Sequence, residues 1–340
     1  MSLPDLSVLM PVRDGGPHLE RAVSTVLASR GVRLELVAVD DGSSDETPQL
    51  LAQRSRRDPR LRVLRTRPDG IVAALNRGLA LCRAPLVARM DADDEVHPER
   101  FAAQRRLLLE RPELGLAGCL VESFREGGLG EGYRIYTEWV NGLRTPQAIA
   151  REAFVECPVP HPTWMFRTNL ARGLGGYRDR AWPEDLDLLY RILASGQRVE
   201  KVPRVLHRWR DHAGRLSRVD GRYTRESFAR AKAHFLGRLH PMSGAVVWGA
   251  GRTGRRMVRL LEAEAIPTQA LLDINPARTG TNGREIPILA PERLRERGRR
   301  WRDAGLRILG AVASRGARGQ IRRELAASGL SEGADFLMVA

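Results

Sequence analysis

Three short stretches of this 340-residue chain gather carboxylates where apolar runs end or begin: Asp40-Asp41-Gly42-Ser43-Ser44-Asp45, Asp91-Ala92-Asp93-Asp94 and Pro183-Glu184-Asp185-Leu186-Asp187. One or two carboxylates can hold a divalent cation that keeps water and phosphate oxygens as its other ligands, and such a cation neutralises a departing diphosphate. Asp91 and Asp93 suit that task, because residues two apart in an extended or turning segment project to one side, with Asp94 supporting the turn. Taken alone, the same residues read equally well as an exposed turn leading into a helix at Pro98. A carboxylate at Asp41, and secondarily at Asp40, can accept the imide N–H of a pyrimidine base, and Gly42 permits the tight turn beside it. Ser44 and Asp45 read as caps of the following helix. An inverting displacement at an anomeric carbon needs a base opposite the leaving group. Asp185 is the candidate, and Glu184 would orient the acceptor or support it. Asp187 reads as an acid beside the helix macrodipole, with Leu186, Leu188, Leu189 and Ile192 buried.

The elements that must position these groups alternate in a regular rhythm. Strand-like runs at Leu6–Pro11, Leu34–Asp40, Leu61–Leu64 and Leu86–Met90 are each followed by a helical pattern, at Leu19–Ala28, Thr47–Arg54, Val72–Leu81 and Arg100–Glu110. This predicts an α/β fold with a parallel sheet wrapped by helices, and ligands of such sheets bind beyond the carboxyl ends of the strands. Both aspartate clusters at strand ends can then face one crevice. From about Gly115 the alternation weakens, and Gly127-Gly128-Leu129-Gly130 precedes a segment with Tyr133, Tyr136 and Trp139 that reads as acceptor-side elaboration. A helix near Tyr223–Leu239 ends at His240-Pro241, where a second domain is expected to start, dividing the chain into 1–240 and 241–340.

Composition narrows the classes further. The net charge of +15 is nearly all arginine, lysine occurring only at Lys201 and Lys232, so nucleic acid, anionic lipid and phosphorylated substrates are all attracted. Arginines spread over solvated helix faces such as Arg293 to Arg302 account for the charge better than a nucleic-acid site does. Cys82, Cys119 and Cys157 match neither a disulfide framework nor a metal-binding pair, and read as reduced structural thiols. No apolar window reaches the length of a membrane span. The expected location is the cytoplasm, with peripheral association at the inner face of the membrane through the basic surface.

In order along the chain, SVLMPVRDG, VAVDDGSSDET, GIVAALNRGL, VARMDADD, HPTWMFR, GGYRD, PEDLDLLYRI and HRWRDHAGRLS resemble the family 2 glycosyltransferases, inverting enzymes with a GT-A fold, over roughly residues 5–220. The resemblance implies a hexosyltransferase-type transfer from a nucleoside-diphosphate sugar, UDP favoured, to a glycan or lipid-linked saccharide hydroxyl, with Mg2+ or Mn2+. It implies that Pro11, Val12, Asp40, Asp41, Asn76 and Asp91 bind the donor. It assigns Asp93 and His212 to the metal, Asp185 to catalysis, and His161, Trp164, Tyr177, Trp182 and Glu184 to the acceptor. Arg208 and Arg210 fall in a late basic segment that closes over the donor diphosphate. Two positions depart from the family pattern. Arg13-Asp14 stands where many relatives carry an aromatic residue, and Leu75 precedes Asn76 where many carry arginine, a gap that Arg67, Arg77 or Arg89 would fill.

Beyond Pro241, Ala245–Trp248 runs into Gly249-Ala250-Gly251-Arg252-Thr253-Gly254 and a helix at Arg255–Glu264, with Asp273 ending the next strand. This is a phosphate-binding strand, turn and helix, and it resembles the small Rossmann-like domain of some sugar-modifying proteins. Gly249, Gly251, Gly254 and Asp273 would bind NAD(H) or another nucleotide there. About a hundred residues leave little room for a complete hydride-transfer site, so a nucleotide-binding or structural module is the expectation. The rivals to the transferase are an NAD-dependent sugar oxidoreductase centred on this domain and a non-enzymatic binder of nucleic acid or anionic membrane.

Overall fold

The opening run LSVLMPV forms β1 (Leu6–Val12), which is buried at every position. A strand with apolar residues on both faces must be covered on both, as in the interior of a parallel sheet. Its one polar side chain, Ser7, donates its hydroxyl to Glu35 Oε1 at 2.6 Å, so the buried oxygen is satisfied. The computed structural model describes residues 3–281 and 285–340. After β1 come α1 (Leu19–Leu27), β2 (Leu34–Asp41), α2 (Thr47–Arg57), β3 (Leu61–Thr66), α3 (Ile71–Leu81), β4 (Leu86–Arg89), β5 (Glu95–Val96) and α4 (Arg100–Glu110). These reproduce the four expected strand and helix pairs with small shifts at their ends.

The next elements are β6 (Leu114–Phe124), α5 (Glu131–Gly142), α6 (Pro146–Glu152), β7 (Met165–Arg167), α7 (Thr168–Gly173), α8 (Glu184–Ala194), β8 (Arg198–Arg210) and α9 (Leu216–Val219). The expected parallel arrangement holds for the first four strands, and the later strands make the sheet mixed. Its order is β3-β2-β1-β4-β7-β6-β8-β5. Strands β1 to β4 run parallel to their neighbours in that order, whereas β7 is antiparallel to both β4 and β6, and β5 is antiparallel to β8. β7 is too short to carry a periodic signal. The parallel pair β6 and β8 is interrupted by register shifts at Leu114/Leu116, Cys119/Leu120 and Leu120/Val121, which blurs the alternation of inward and outward residues. The core under β1, β2 and β4 joins Val8, Met10, Leu36, Ala38 and Ala88 to Ala22, Val23 and Val26 of α1.

The chain divides into two compact units, 1–149 with 158–220, and 150–157 with 221–340. The second contains α10 (Arg225–Leu239), β9 (Gly244–Trp248), α11 (Arg252–Ala263), β10 (Thr268–Leu272), β11 (Gly280–Thr281), β12 (Pro287–Leu289), α12 (Leu294–Asp303), β13 (Leu306–Gly310), α13 (Ala317–Ala327) and β14 (Phe336–Met338). α10 packs with this unit: the buried Lys232 Nζ donates to Val155 O at 2.8 Å and Val339 O at 3.2 Å. The division therefore falls at Asp220–Gly221. The second sheet has the order β11-β12-β10-β9-β13-β14 and is parallel apart from β11 against β12. This is the doubly wound arrangement, in which strand order reverses beside the first strand.

Candidate functional site

Because β1, β2 and β4 are parallel neighbours, their carboxyl ends lie along one edge of the first sheet. Val12 pairs in register with Asp40, and Leu9 with Arg89, so the buried Pro11 and Val12 sit between the two aspartate clusters. Asp40 is buried and accepts from Ser43 N at 2.9 Å through Oδ1, while Arg65 lies 3.5 Å from Oδ2. Asp41 accepts from Asp69 N and Gly70 N, both at 2.9 Å, and so fixes the turn between β3 and α3. Asp45 accepts from Thr47 N at 3.0 Å at the start of α2, and with its other oxygen from Gly16 N at 3.0 Å. It thus ties the loop after β1 to the loop after β2, a wider role than helix capping.

Asp91, Asp93 and Asp94 bring carboxylate oxygens within 4.8 Å of one another. They are not equivalent. Asp94 is buried, accepting from Arg210 N and His207 Nε2, each at 2.8 Å. His207 Nδ1 faces the Arg100 guanidinium at 2.9 Å, and a guanidinium only donates, so Nε2 carries the proton and donates to Asp94. Burial holds His207 well below the usual imidazole range, hence neutral. Burial, then the charge of Asp91, push Asp94 up to about 8. Asp94 therefore holds the turn, whereas Asp91 and Asp93 each keep 26% side-chain exposure. Asp91 pairs with the buried Arg89, and Asp93 Oδ2 faces His212 Nε2 at 2.8 Å. Arg210 Nε donates to Asp93 O at 3.0 Å.

The accessible carboxylates of Asp91 and Asp93 form an oxygen donor set compatible with Mg2+ or Mn2+, with positions left for phosphate oxygens and water. Arg89 Nε is buried and has no hydrogen-bond partner among the described residues, while the other side of its guanidinium pairs with Asp91. Three groups near this cluster escape the sequence reading. His18 lies within electrostatic reach of Asp93, Arg210 and His212. Arg215, whose guanidinium lies 4.5 Å over the Trp209 ring, feels all three aspartates. The fully buried Arg100 ties Arg89 O at 3.0 Å and Pro162 O at 2.7 Å beneath the cluster. Only the alternation of Arg208 and Arg210 along β8 hinted at such a basic wall in the sequence.

The remaining predicted residues separate into a buried wall and an accessible rim. Trp164 is fully buried, donates Nε1 to Val159 O at 2.9 Å and meets His161 edge-on at 4.8 Å, so it cannot offer a ring face to a sugar. His161 Nε2 and Tyr177 Oη are 2.9 Å apart, and both residues are buried. Burial raises the Tyr177 hydroxyl pKa; nearby Arg89 opposes this, and Glu184 and Asp185 add to it. Tyr177 thus links the basic side of the aspartate cluster to the start of α8. There Glu184 is buried, while Asp185 is half-buried and accepts from Leu186 N at 2.7 Å through Oδ1. The half-buried Trp182 donates Nε1 to Asp187 Oδ2 at 3.0 Å. Asp187 forms a buried ion pair with Arg191 at 2.6 Å, and Arg191 also donates to Leu174 O and Gly176 O, both at 2.8 Å.

Asn76 is tied to the backbone of Tyr177. Its side-chain amide donates to Tyr177 O at 2.8 Å and accepts from Tyr177 N at 2.9 Å, so both polar ends are engaged by backbone rather than by a donor. Gly176 has φ +65°, and a Cβ there would lie 2.5 Å from Asn76 Oδ1, so this clamp requires glycine. Arg77 pairs with Asp69 and is likewise engaged locally.

In the second unit, Gly249 and Gly254 follow β9, and Gly251 is the N-cap of α11, which starts at Arg252 rather than Arg255. Asp273 accepts from Ala250 N at 2.8 Å, Asn275 N at 2.9 Å and Arg278 Nη1 at 3.1 Å. Its carboxylate thereby ties the turn after β9 to the turn after β10.

Residues 7–174 match the model of the family described as Glycosyl transferase family 2. Among curated proteins, the chain is 33% identical over 159 residues to the succinoglycan biosynthesis protein ExoO of Rhizobium meliloti, covering 46% of this chain and 43% of that one. It is 32% identical over 173 residues to the amylovoran biosynthesis glycosyltransferase AmsE of Erwinia amylovora, covering 51% of this chain and 62% of that one. The chain thus spans less than two thirds of either relative. A crystal structure of S. aureus TarS in complex with UDP-GlcNAc shares the fold, with a TM-score of 0.56, 16% identity, and 68% of this chain and 66% of that one covered.

Proposed function

We propose, from the premise that this chain belongs to the family 2 glycosyltransferases, that it moves a sugar from a nucleoside diphosphate, UDP favoured, to a hydroxyl of a glycan or lipid-linked saccharide, inverting the anomeric carbon. The observation that carries this reading is the pair Asp91 and Asp93. They remain accessible at the carboxyl ends of the parallel strands and are ringed by Arg89, Arg210 and His212. A divalent cation held by Asp91 and Asp93, with His212 beside it, would supply charge neutralisation for the diphosphate.

The chain's own residues do the rest. Arg89 and Arg210 add fixed positive charge where the leaving diphosphate accumulates negative charge. Asp41, immobilised by two backbone amides, is a fixed acceptor for the imide N–H of uracil beside Pro11 and Val12. Asp185 takes the proton of the acceptor hydroxyl as its oxygen bonds to the anomeric carbon, while the bond from that carbon to the diphosphate oxygen breaks on the opposite face. Glu184 and Trp182 flank Asp185 on the acceptor side. The two curated relatives act in succinoglycan and amylovoran biosynthesis by name, which favours assembly of a surface polysaccharide as the setting. Among the described residues no helix is long and apolar enough to cross a membrane. For work on a lipid-linked acceptor at the cytoplasmic face, the basic surface is suited to peripheral attachment to anionic lipid.

Calorimetry of UDP binding with and without Mn2+ tests this reading. The native chain should bind UDP more tightly with Mn2+, and Asp93→Ala should remove the metal-dependent part. Undiminished Mn2+-dependent binding by Asp93→Ala would overturn the metal assignment.

A further inference from the structure

Beneath the aspartate cluster runs a network of polar side chains, Arg100, Gln104, His207 and Asp94, all of them buried. Arg100 is its hub and engages every guanidinium nitrogen inside the protein. Nε donates to Gln104 Oε1 at 2.9 Å, Nη1 to His207 Nδ1 at 2.9 Å, and Nη2 to Arg89 O at 3.0 Å and Pro162 O at 2.7 Å. Gln104 Nε2 in turn donates to Ala117 O and Thr163 O, both at 2.7 Å. Among these acceptors of Arg100 there is no carboxylate.

A guanidinium is costly to bury, and apolar groups of the same volume fill a core as well or better. Core stability therefore gives no reason for Arg100. What the network does is bring fixed contacts to both ends of the turn that carries Asp91 and Asp93. On one side Arg100 holds the carbonyl of Arg89, whose own guanidinium pairs with Asp91. On the other it holds His207, which donates Nε2–H to Asp94 Oδ2 at 2.8 Å, while Arg210 N donates to Asp94 Oδ1 at 2.8 Å. The guanidinium also sets the direction of the histidine bond. With Nδ1 kept as an acceptor, a neutral ring carries its proton on Nε2 alone. A buried network whose members are all satisfied is stiff and fixes one arrangement.

We propose that His207 is a positioning residue for the cation site, held in one tautomer by Arg100 so that its Nε2–H fixes Asp94 and, through Asp94, the spacing of the Asp91 and Asp93 carboxylates. This rests on the reading of Asp91 and Asp93 as the cation's ligands. His207 is buried and is not itself a ligand. Its bond removes in advance the freedom that the turn would otherwise lose when the cation binds, and that loss is then not subtracted from the affinity.

The test uses two substitutions that each keep one half of the imidazole. A glutamine amide reaches the place of Nε2 and still donates to Asp94, whereas an asparagine carbonyl takes the place of Nδ1 and still accepts from Arg100. Calorimetry of UDP binding to the full chain at increasing Mn2+ reads the Mn2+ concentration for half-maximal binding, with circular dichroism to check the fold. His207→Asn should raise that concentration about tenfold to 100-fold, the range for losing such a supporting contact, and His207→Gln by no more than about threefold. A residue that only fills the core would shift both variants alike, so equal shifts would overturn the proposal, as would an unshifted concentration in folded His207→Asn. Should either variant fail to fold, Asp94→Asn decides. Its amide N–H meets either His207 Nε2–H or Arg210 N–H donor to donor, and Arg100 bars the other tautomer of the ring, so the same rise is expected and native Mn2+ dependence would refute the role. UDP binding that ignores Mn2+ in the native chain would instead remove the metal reading of Asp91 and Asp93, and this proposal with it. A native chain that responds to Mn2+ leaves that reading standing whatever the variants do.

Discussion

Replacing Asp185 by asparagine separates catalysis from architecture. The asparagine side chain has the same shape and keeps an oxygen to accept the Leu186 N–H now held at 2.7 Å. What is lost is one negative charge in the first turn of α8, worth about 0.3–1 kcal/mol against the helix dipole. The fold should therefore lose less than about 1 kcal/mol. An amide, however, cannot take a proton from a hydroxyl at neutral pH. Removing a positioned general base costs about 100-fold to 10,000-fold in rate, which at 1.36 kcal/mol per tenfold is a barrier rise of about 2.7–5.4 kcal/mol. The assay follows UDP release from UDP-sugars at saturating donor, with calorimetry of Mn2+-dependent UDP binding on the same preparation. Turnover should fall by at least about 100-fold while UDP affinity is unchanged. Turnover within about threefold of the native enzyme would refute Asp185 as the base, and a parallel loss of UDP affinity would show it to be a donor contact.

Asn76→Ala removes both hydrogen bonds to the Tyr177 backbone and should lower the stability of the first unit by about 2 kcal/mol in urea unfolding, at about 1 kcal/mol per bond. UDP affinity should be retained; a clear loss of affinity at native stability would restore Asn76 as a donor ligand. In the second unit, burial and then Arg307 hold His240 down at about 4, against 6.5 when unfolded. Between these values the unfolded chain binds a proton that the folded one does not, so stability is full above about pH 6.5 and falls as pH drops toward 4. His240→Phe keeps a ring against Phe154, now 5.5 Å away, and should reduce the difference in urea midpoint between pH 7 and pH 5. An unchanged difference would rule out His240 as its source.

How far the sequence reached depended on the range of the interaction being read. Strand and helix periodicity, and acids placed where apolar runs end, are local, so β1 to α4 and the clusters at Asp40, Asp91 and Glu184 were legible from side-chain type and spacing alone. The second unit's strand, glycine turn and helix were legible for the same reason. Which polar atoms remain available to a ligand is not local. Asn76 and Trp164 have the residue types of ligand contacts, yet partners far away in sequence, Tyr177 for the first and a buried wall for the second, already engage them. Asp273 is engaged by its own loop, through a turn the sequence leaves open. The roles within Asp91, Asp93 and Asp94 were decided by β8, which delivers His207 and Arg210 to Asp94 from more than a hundred residues away. Residue type sets what a group can do, but burial and hydrogen-bond saturation set whether it is free to do it, and both are properties of the packed chain.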